Sequence, residues 1–136
     1  MTQPTGTLQP LSETDQAVAD PGQDVRGRTV VDSDGTKVGT VADLLVDTDE
    51  KKVRFLSVEH GGILGFGASS SFIPIDAVRE VTETEVHIDT SSKHVSGAPP
   101  YDPELVEQRE YLEQVYGYYG YPPFWAPGYF YPGFPR

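Results

Sequence analysis

Gly62-x-x-Gly65-x-Gly67 is the pattern in this chain that most invites chemistry. A phosphate-binding loop works by aiming the backbone N–H groups of a helix N-terminus at the anion, usually with Lys-Ser/Thr next. Here an apolar, β-like run follows and no lysine stands near, so the glycines are expected to turn a corner between strands. Asp32-x-Asp34-Gly35 resembles part of a calcium loop, but with Gly35 in the sixth place the first ligand position falls on Val30, and the pattern fails. It is read as a turn. Asp47, Asp49 and Glu50 gather at another turn and offer weak divalent-ion binding at most. His60, His87 and His94 have no metal-like spacing. His60 borders the glycine loop and titrates near neutral pH as a type, but is expected to be a hydrogen-bonded structural residue. Ser69-Ser70-Ser71 lacks the strand–turn–helix setting of a nucleophile elbow. No catalytic, cofactor-binding or metal-ligating residue is assigned, and the chain is expected not to be an enzyme.

The other candidates are contact residues. Ile63, Leu64 and Phe66 ride on the glycine loop; they either plug one end of a barrel or form a sticky knuckle on its outside. Residues 116–136, YGYYGYPPFWAPGYFYPGFPR, hold ten of the fifteen aromatics and no charge before Arg136. Five prolines in that span rule out a regular helix or strand. Left bare, so many rings would exceed the few-hundred-Å² apolar patch usual on a monomer, on the order of 300–600 Å². The tail is therefore a disordered sticker, a segment packed on its own or a sister barrel, or a handle for a dedicated partner. Candidate contacts in the C-terminal third are Leu105, Leu112, Tyr116, Tyr119, Tyr121, Phe124, Trp125, Tyr129, Phe130 and Tyr131.

Composition narrows the partners. At 136 residues the chain allows one domain plus tails, and its formal charge is −11. Residues 1–25 carry four acids and no Lys or Arg, residues 26–90 twelve acids and seven bases, and residues 91–136 five acids and three bases. No segment offers the basic stripe that phosphate backbones or anionic lipids require, so no nucleic acid is expected. With no cysteine, disulfides and thiolate chemistry are excluded. The N-terminus lacks a basic n-region and an apolar h-region, and no 18-residue apolar run exists, so no transmembrane segment and a cytoplasmic location are expected.

These candidates must be held by short strands. Residues 1–24 are rich in Thr, Gln, Pro and Asp and read as a disordered tail. Strands are expected over 28–31, 37–46, 53–60 and 71–75, with a last hairpin of 79–81 and 85–88. Ser33-Asp34-Gly35-Thr36 is a turn, Gly39 marks a bend or bulge, and Asp76-Ala77-Val78 reads as one helical turn capped by Asp76. In 53–60, Leu56 and Val58 share one face while Val53 and Phe55 share the other, as in a strand covered on both sides. The regular spacing of short strands predicts an all-β barrel over 25–92. A linker (93–101), an amphipathic helix (102–116) started by Asp102-Pro103-Glu104, and the aromatic tail (117–136) follow. Gly117 and Gly120 are expected to end the helix.

An ordered set of motifs then resembles a known family. Gly27-Arg28-Thr29-Val30-Val31 opens it, and Asp34-Gly35-x-x-Val38-Gly39-x-Val41-x-Asp43-Leu44-Leu45-Val46-Asp47 follows. Gly61-Gly62-Ile63-Leu64-Gly65-Phe66-Gly67 and Phe72-Ile73-Pro74-Ile75-Asp76-Ala77-Val78 complete it. The chain resembles a stand-alone PRC-barrel domain. That fold is shared by the cytoplasmic part of the photosynthetic reaction-centre H subunit and the C-terminal barrel of a ribosome-maturation factor. The resemblance implies a small protein-interaction barrel, often self-associating. A barrel of some 65 residues is marginal alone, so a homo-oligomer, with a dimer favoured, is expected, braced by the C-terminal helix. The resemblance also raises two alternatives. One is an accessory to photosynthetic or quinone-linked electron transfer, for which Asp43, Asp47, Glu59 and His60 are the comparable cluster. The other is an RNA- or ribosome-processing factor, which the acidic charge opposes.

Overall fold

A computed structural model describes residues 8–11, 24–47, 52–60, 69–98 and 109–131. Among the described residues, seven strands form one sheet: β1 (Leu8–Pro10), β2 (Thr29–Val31), β3 (Lys37–Asp47), β4 (Val53–His60), β5 (Ser69–Pro74), β6 (Val78–Val81) and β7 (Glu85–Ile88). A 3-10 turn, Ile75–Ala77, joins β5 to β6, and two helices follow, α1 (Ser92–Ser96) and α2 (Arg109–Tyr119). The strand order is β5-β4-β3-β2-β7-β6, with the β2–β7 pair parallel.

β5 and β6 stand at opposite ends of that order, yet only the three-residue turn separates them in sequence. The sheet must therefore roll up on itself. Its seam is spanned by covalent chain, and no ladder among the described residues closes it. The all-β fold is as expected; the barrel is open. The turn begins at Ile75, behind Pro74 at φ −66°, so Asp76 lies inside it and makes no capping bond. Ile75 and Ala77 are fully buried and fill the interior behind the seam.

β3 is long enough to serve two neighbours on one edge. Its first half pairs with β2 (Thr40 opposite Thr29) and its second half with β1 (Asp47 opposite Leu8). The β2 ladder slips at Val38, beside Gly39, where the bend is expected. β1 lies in the segment expected to be a disordered tail. Leu8 and Leu11 are buried, and Pro10 sits in an edge strand, which tolerates its missing N–H.

β4 is buried from Val53 to Val58, covered on both sides. Leu56, Val58 and Ile73 enter a core with Val30, Val86 and Ile88, while Phe55 and Phe72 enter a second one. Val53 joins Leu56 rather than Phe55. The cause is a bulge: Leu45 faces Phe55, Val46 faces Val53, and Arg54 is the extra residue. A bulge resets the period-2 alternation and re-aims a side chain, here Arg54.

Residues 93–96, expected as linker, fall with Ser92 in α1. Ser91 caps it, its side chain accepting from the His94 N–H at 3.1 Å. α2 runs to Tyr119, with Gly117 inside it; Gly120, at φ +85°, is the residue that stops it. The proposed helix start at 102–104 and Leu105 lie outside the described residues, as does the Gly61–Gly67 loop.

Candidate functional site

The second core is the place where the C-terminal residues meet the sheet. Its floor is Leu8, Leu45, Phe55 and Phe72; its cover is Tyr111, Leu112, Val115, Tyr116 and Phe124. The stripe on α2 follows helical spacing, which brings Leu112, Val115 and Tyr116 to one side. Phe55 and Phe72 stack at 4.4 Å between centroids, and Tyr116 tilts onto Phe55 at 4.8 Å. This floor is apolar because β3, β4 and β5 carry hydrophobic residues on the face away from the first core.

Arg54 stands at the rim of that face, only 4% exposed. Its Nε donates to Asp47 Oδ2 at 2.9 Å, and Asp47 is itself 1% exposed. The guanidinium carbon lies 4.6 Å from the Phe124 ring centroid, 5.2 Å from that of Tyr131 and 6.0 Å from that of Tyr129. One buried cation thus joins the end of β3 to three rings of the tail. Each ring contact of this kind contributes roughly 0.5–2 kcal/mol, more when water is excluded.

Two phenols fasten the tail further. Tyr129 Oη donates to Asp76 Oδ2 at 3.0 Å, and Tyr131 Oη donates to the Val53 carbonyl at 3.0 Å. Lys52 Nζ sits 4.8 Å from the centre of the Tyr131 ring. Burial raises the Asp76 pKa, and the Tyr129 hydrogen bond opposes that rise. Burial also raises the pKa of Tyr129 and of Tyr116; the nearby Asp76 carboxylate adds to both. The Tyr129 phenol stays protonated, and so remains a donor to Asp76, across the physiological range.

A second tie connects the helices. His94 stacks on Tyr118 at 4.2 Å, Tyr118 Oη donates to the His94 carbonyl at 2.7 Å, and His94 Nε2 lies 3.1 Å from the Tyr118 carbonyl. Tyr121 Oη donates to Asp89.

The predicted contact residues therefore divide. Leu112, Tyr116 and Phe124 are buried against the sheet; Tyr119, Tyr121, Trp125, Tyr129 and Tyr131 are half-buried on it. Trp125 lies under Arg109, whose guanidinium carbon is 4.6 Å from the ring centre. Phe130 alone among the described large hydrophobics points out, 87% exposed, between two neighbours that are tied down. Ile63, Leu64, Phe66 and Leu105 lie outside the described residues. Of the three ways of accommodating the tail, the described part, up to Tyr131, packs on its own barrel.

Sequence reasoning missed Arg54 and read Asp76 only as the cap of a helical turn. The signal for Arg54 is a lone Lys/Arg near the start of a strand whose first six residues are otherwise apolar but for Ser57, seven residues from an acid across a hairpin.

The remaining motifs are structural. Asp32 is buried; its Oδ1 accepts from the Asp34 and Thr36 N–H groups and its Oδ2 from that of Ser92, all at 2.8 Å. Those bonds, led by Thr36, lower its pKa against the opposing effect of burial. The carboxylate thus closes the expected turn and pins α1 to it. His87 Nε2 lies 3.0 Å from Glu85 Oε1, beside a polar cleft of about 480 Å³. Asp43, Asp47 and Glu59 are strung along the sheet: Asp43 faces Ser57, Asp47 faces Leu8 and binds Arg54, and Glu59 faces Thr40. Among the described residues no three His, Asp or Glu are placed to hold a metal, and no helix is long and apolar enough to cross a membrane.

Among known families, the PRC-barrel domain model matches residues 19–95. No curated protein matches the chain.

Proposed function

The chain belongs to the PRC-barrel domain family, and from that premise we propose that it is a non-enzymatic protein-interaction and assembly module that self-associates. One observation carries this reading. The matched domain ends at residue 95, and Tyr111, Leu112, Val115, Tyr116 and Phe124, beyond it, seat on the face made by Leu8, Leu45, Phe55 and Phe72. That face receives its segment with the chemistry of a protein–protein hot spot: aromatic anchors in an apolar centre and a desolvated arginine at the rim. The domain therefore has a surface suited to a Tyr/Phe/Pro-rich segment. Phe130, fixed outward by Tyr129 and Tyr131, adds an apolar anchor whose backbone is already ordered, which lowers the entropic cost of binding.

Light scattering on the intact chain over a wide concentration range tests the proposal. A dimer population that grows with concentration is expected. A strict monomer at every concentration would refute self-association.

A further inference from the structure

We infer that the C-terminal segment 109–131 is an exchangeable ligand of the sheet face, and that a second copy of this chain takes the place of the cis segment by docking its own. This rests on the proposed self-association and supplies its mode.

The second core is built in two halves that the sequence keeps apart. Its floor belongs to the strands, its cover to residues 111–124, and residues 97–108 join them. Gly97 and Ala98 are bonded back onto α1, so the ten residues after them set the reach, at most about 34 Å at ~3.4 Å per residue. This exceeds the ~30 Å width of a small domain, so the same connector reaches a neighbouring barrel. Every contact the segment makes in cis is available in trans. The Asp47–Arg54–Phe124 stack, the Tyr129–Asp76 bond and the Tyr131–Val53 bond are unchanged whichever chain supplies the rings. These contacts cancel between the two forms, and the balance falls to the connector.

The seam also differs from an ordinary core. Tyr119 Oη and Asp76 Oδ1 are buried without a hydrogen-bond partner among the described residues, and both lie where the C-terminal segment meets the barrel. Unsatisfied buried polar atoms favour opening of the surface that buries them. Once open, the floor exposes Phe55 and Phe72, and a like segment from another chain is the complementary cover. Exchange of identical elements is a low-cost route to a dimer.

The test uses full-length chains, in which each introduced thiol is unique because no cysteine is present. One chain carries Lys52→Cys and the other Phe130→Cys; these positions flank the docked Tyr131 ring. The mixed chains are treated with a short bis-maleimide. Covalent heterodimer is expected at about tenfold the yield of a control pairing of Phe130→Cys with Glu83→Cys, since docking raises the effective concentration of the thiols. The Lys52→Cys/Phe130→Cys double variant reports docking within one chain. A mixed yield equal to the control, with all cross-linking confined to single chains of the double variant, overturns exchange. Failure of the double variant to cross-link at all, within or between chains, overturns the docked segment itself. A dimer seen by light scattering with no mixed excess leaves self-association standing and refutes this mode of it.

Discussion

Replacing Arg54 with methionine while Asp47 stays removes the ion-pair partner of a carboxylate that is 1% exposed, although the Lys52 N–H still donates to its Oδ2 at 3.3 Å. Methionine keeps the length of the side chain and most contact with the rings, at about 0.3–1.5 kcal/mol for a sulfur–aromatic pair. The dominant loss is the ion pair, whose Nε–Oδ2 distance is 2.9 Å. Removing one member of a buried pair costs ~3–5 kcal/mol, because the other keeps its desolvation penalty. Domain stabilities are about 5–15 kcal/mol, so Arg54→Met should remove a large share. Adding Asp47→Leu removes the buried charge that has lost its ion pair and should restore at least ~3 kcal/mol, since apolar replacements of a whole buried pair are near neutral. Urea unfolding reads both, followed by far-UV circular dichroism for the sheet and by Trp125, the single tryptophan, for the tail. The tail signal of Arg54→Met should be lost first. A loss under about 1 kcal/mol in the single variant, or a double variant no more stable than the single, would refute the reasoning.

Asp76 gives a pH signature. Its folded pKa is raised, so its contribution is fully present below the ordinary carboxylate range near ~3.9 and is lost as pH rises through the folded value. Asp76→Asn should therefore stabilise the chain at pH ~7, with the gain fading below pH ~4; a gain independent of pH would contradict this. Asp32 has the opposite sign: its lowered pKa makes its contribution present above the ordinary range and lost on acidification, so Asp32→Asn should flatten the acid limb of a melting-temperature profile. A Cβ at Gly97 would sit 2.8 Å from Tyr118 Oη. Gly97→Ala should therefore break the Tyr118–His94 bond at about 1 kcal/mol and match Tyr118→Phe in urea midpoint; no shift in either would remove that tie from the account. Phe130→Ser should change stability by no more than ~0.5 kcal/mol, and a larger loss would show the ring to be buried.

Most of the sheet was legible because its strands carry period-2 apolar patterns bounded by turn residues. β4 matched its expected bounds, and β3 and β7 nearly or fully did so. Three features were not legible. β1 is three residues in a polar segment, and it forms only because β3 is long enough to leave an unpaired half-edge. The bulge at Arg54 depends on pairing with β3 and leaves no mark in β4 alone. α1 is short enough that its Ser91 cap and the Asp32 bond to Ser92 decide it, and the second of these spans sixty positions. In the candidate site, sequence marked the tail as chemically unusual but left its destination open. That destination depends on Phe55, Phe72 and a buried cation, which come together only when the sheet rolls. The open seam is likewise a property of strand order, since β5 and β6 look like ordinary successive strands in sequence.

The aromatic segment is seated on the barrel around Arg54. Proton NMR of the intact chain tests it most directly, through nuclear Overhauser contacts from the Arg54 side chain to the Phe124 and Tyr131 rings. At centroid distances of 4.6 and 5.2 Å these contacts should be strong, with the Arg54 side-chain protons shifted upfield by the ring currents. Random-coil shifts for Arg54 and no contact to either ring would contradict it.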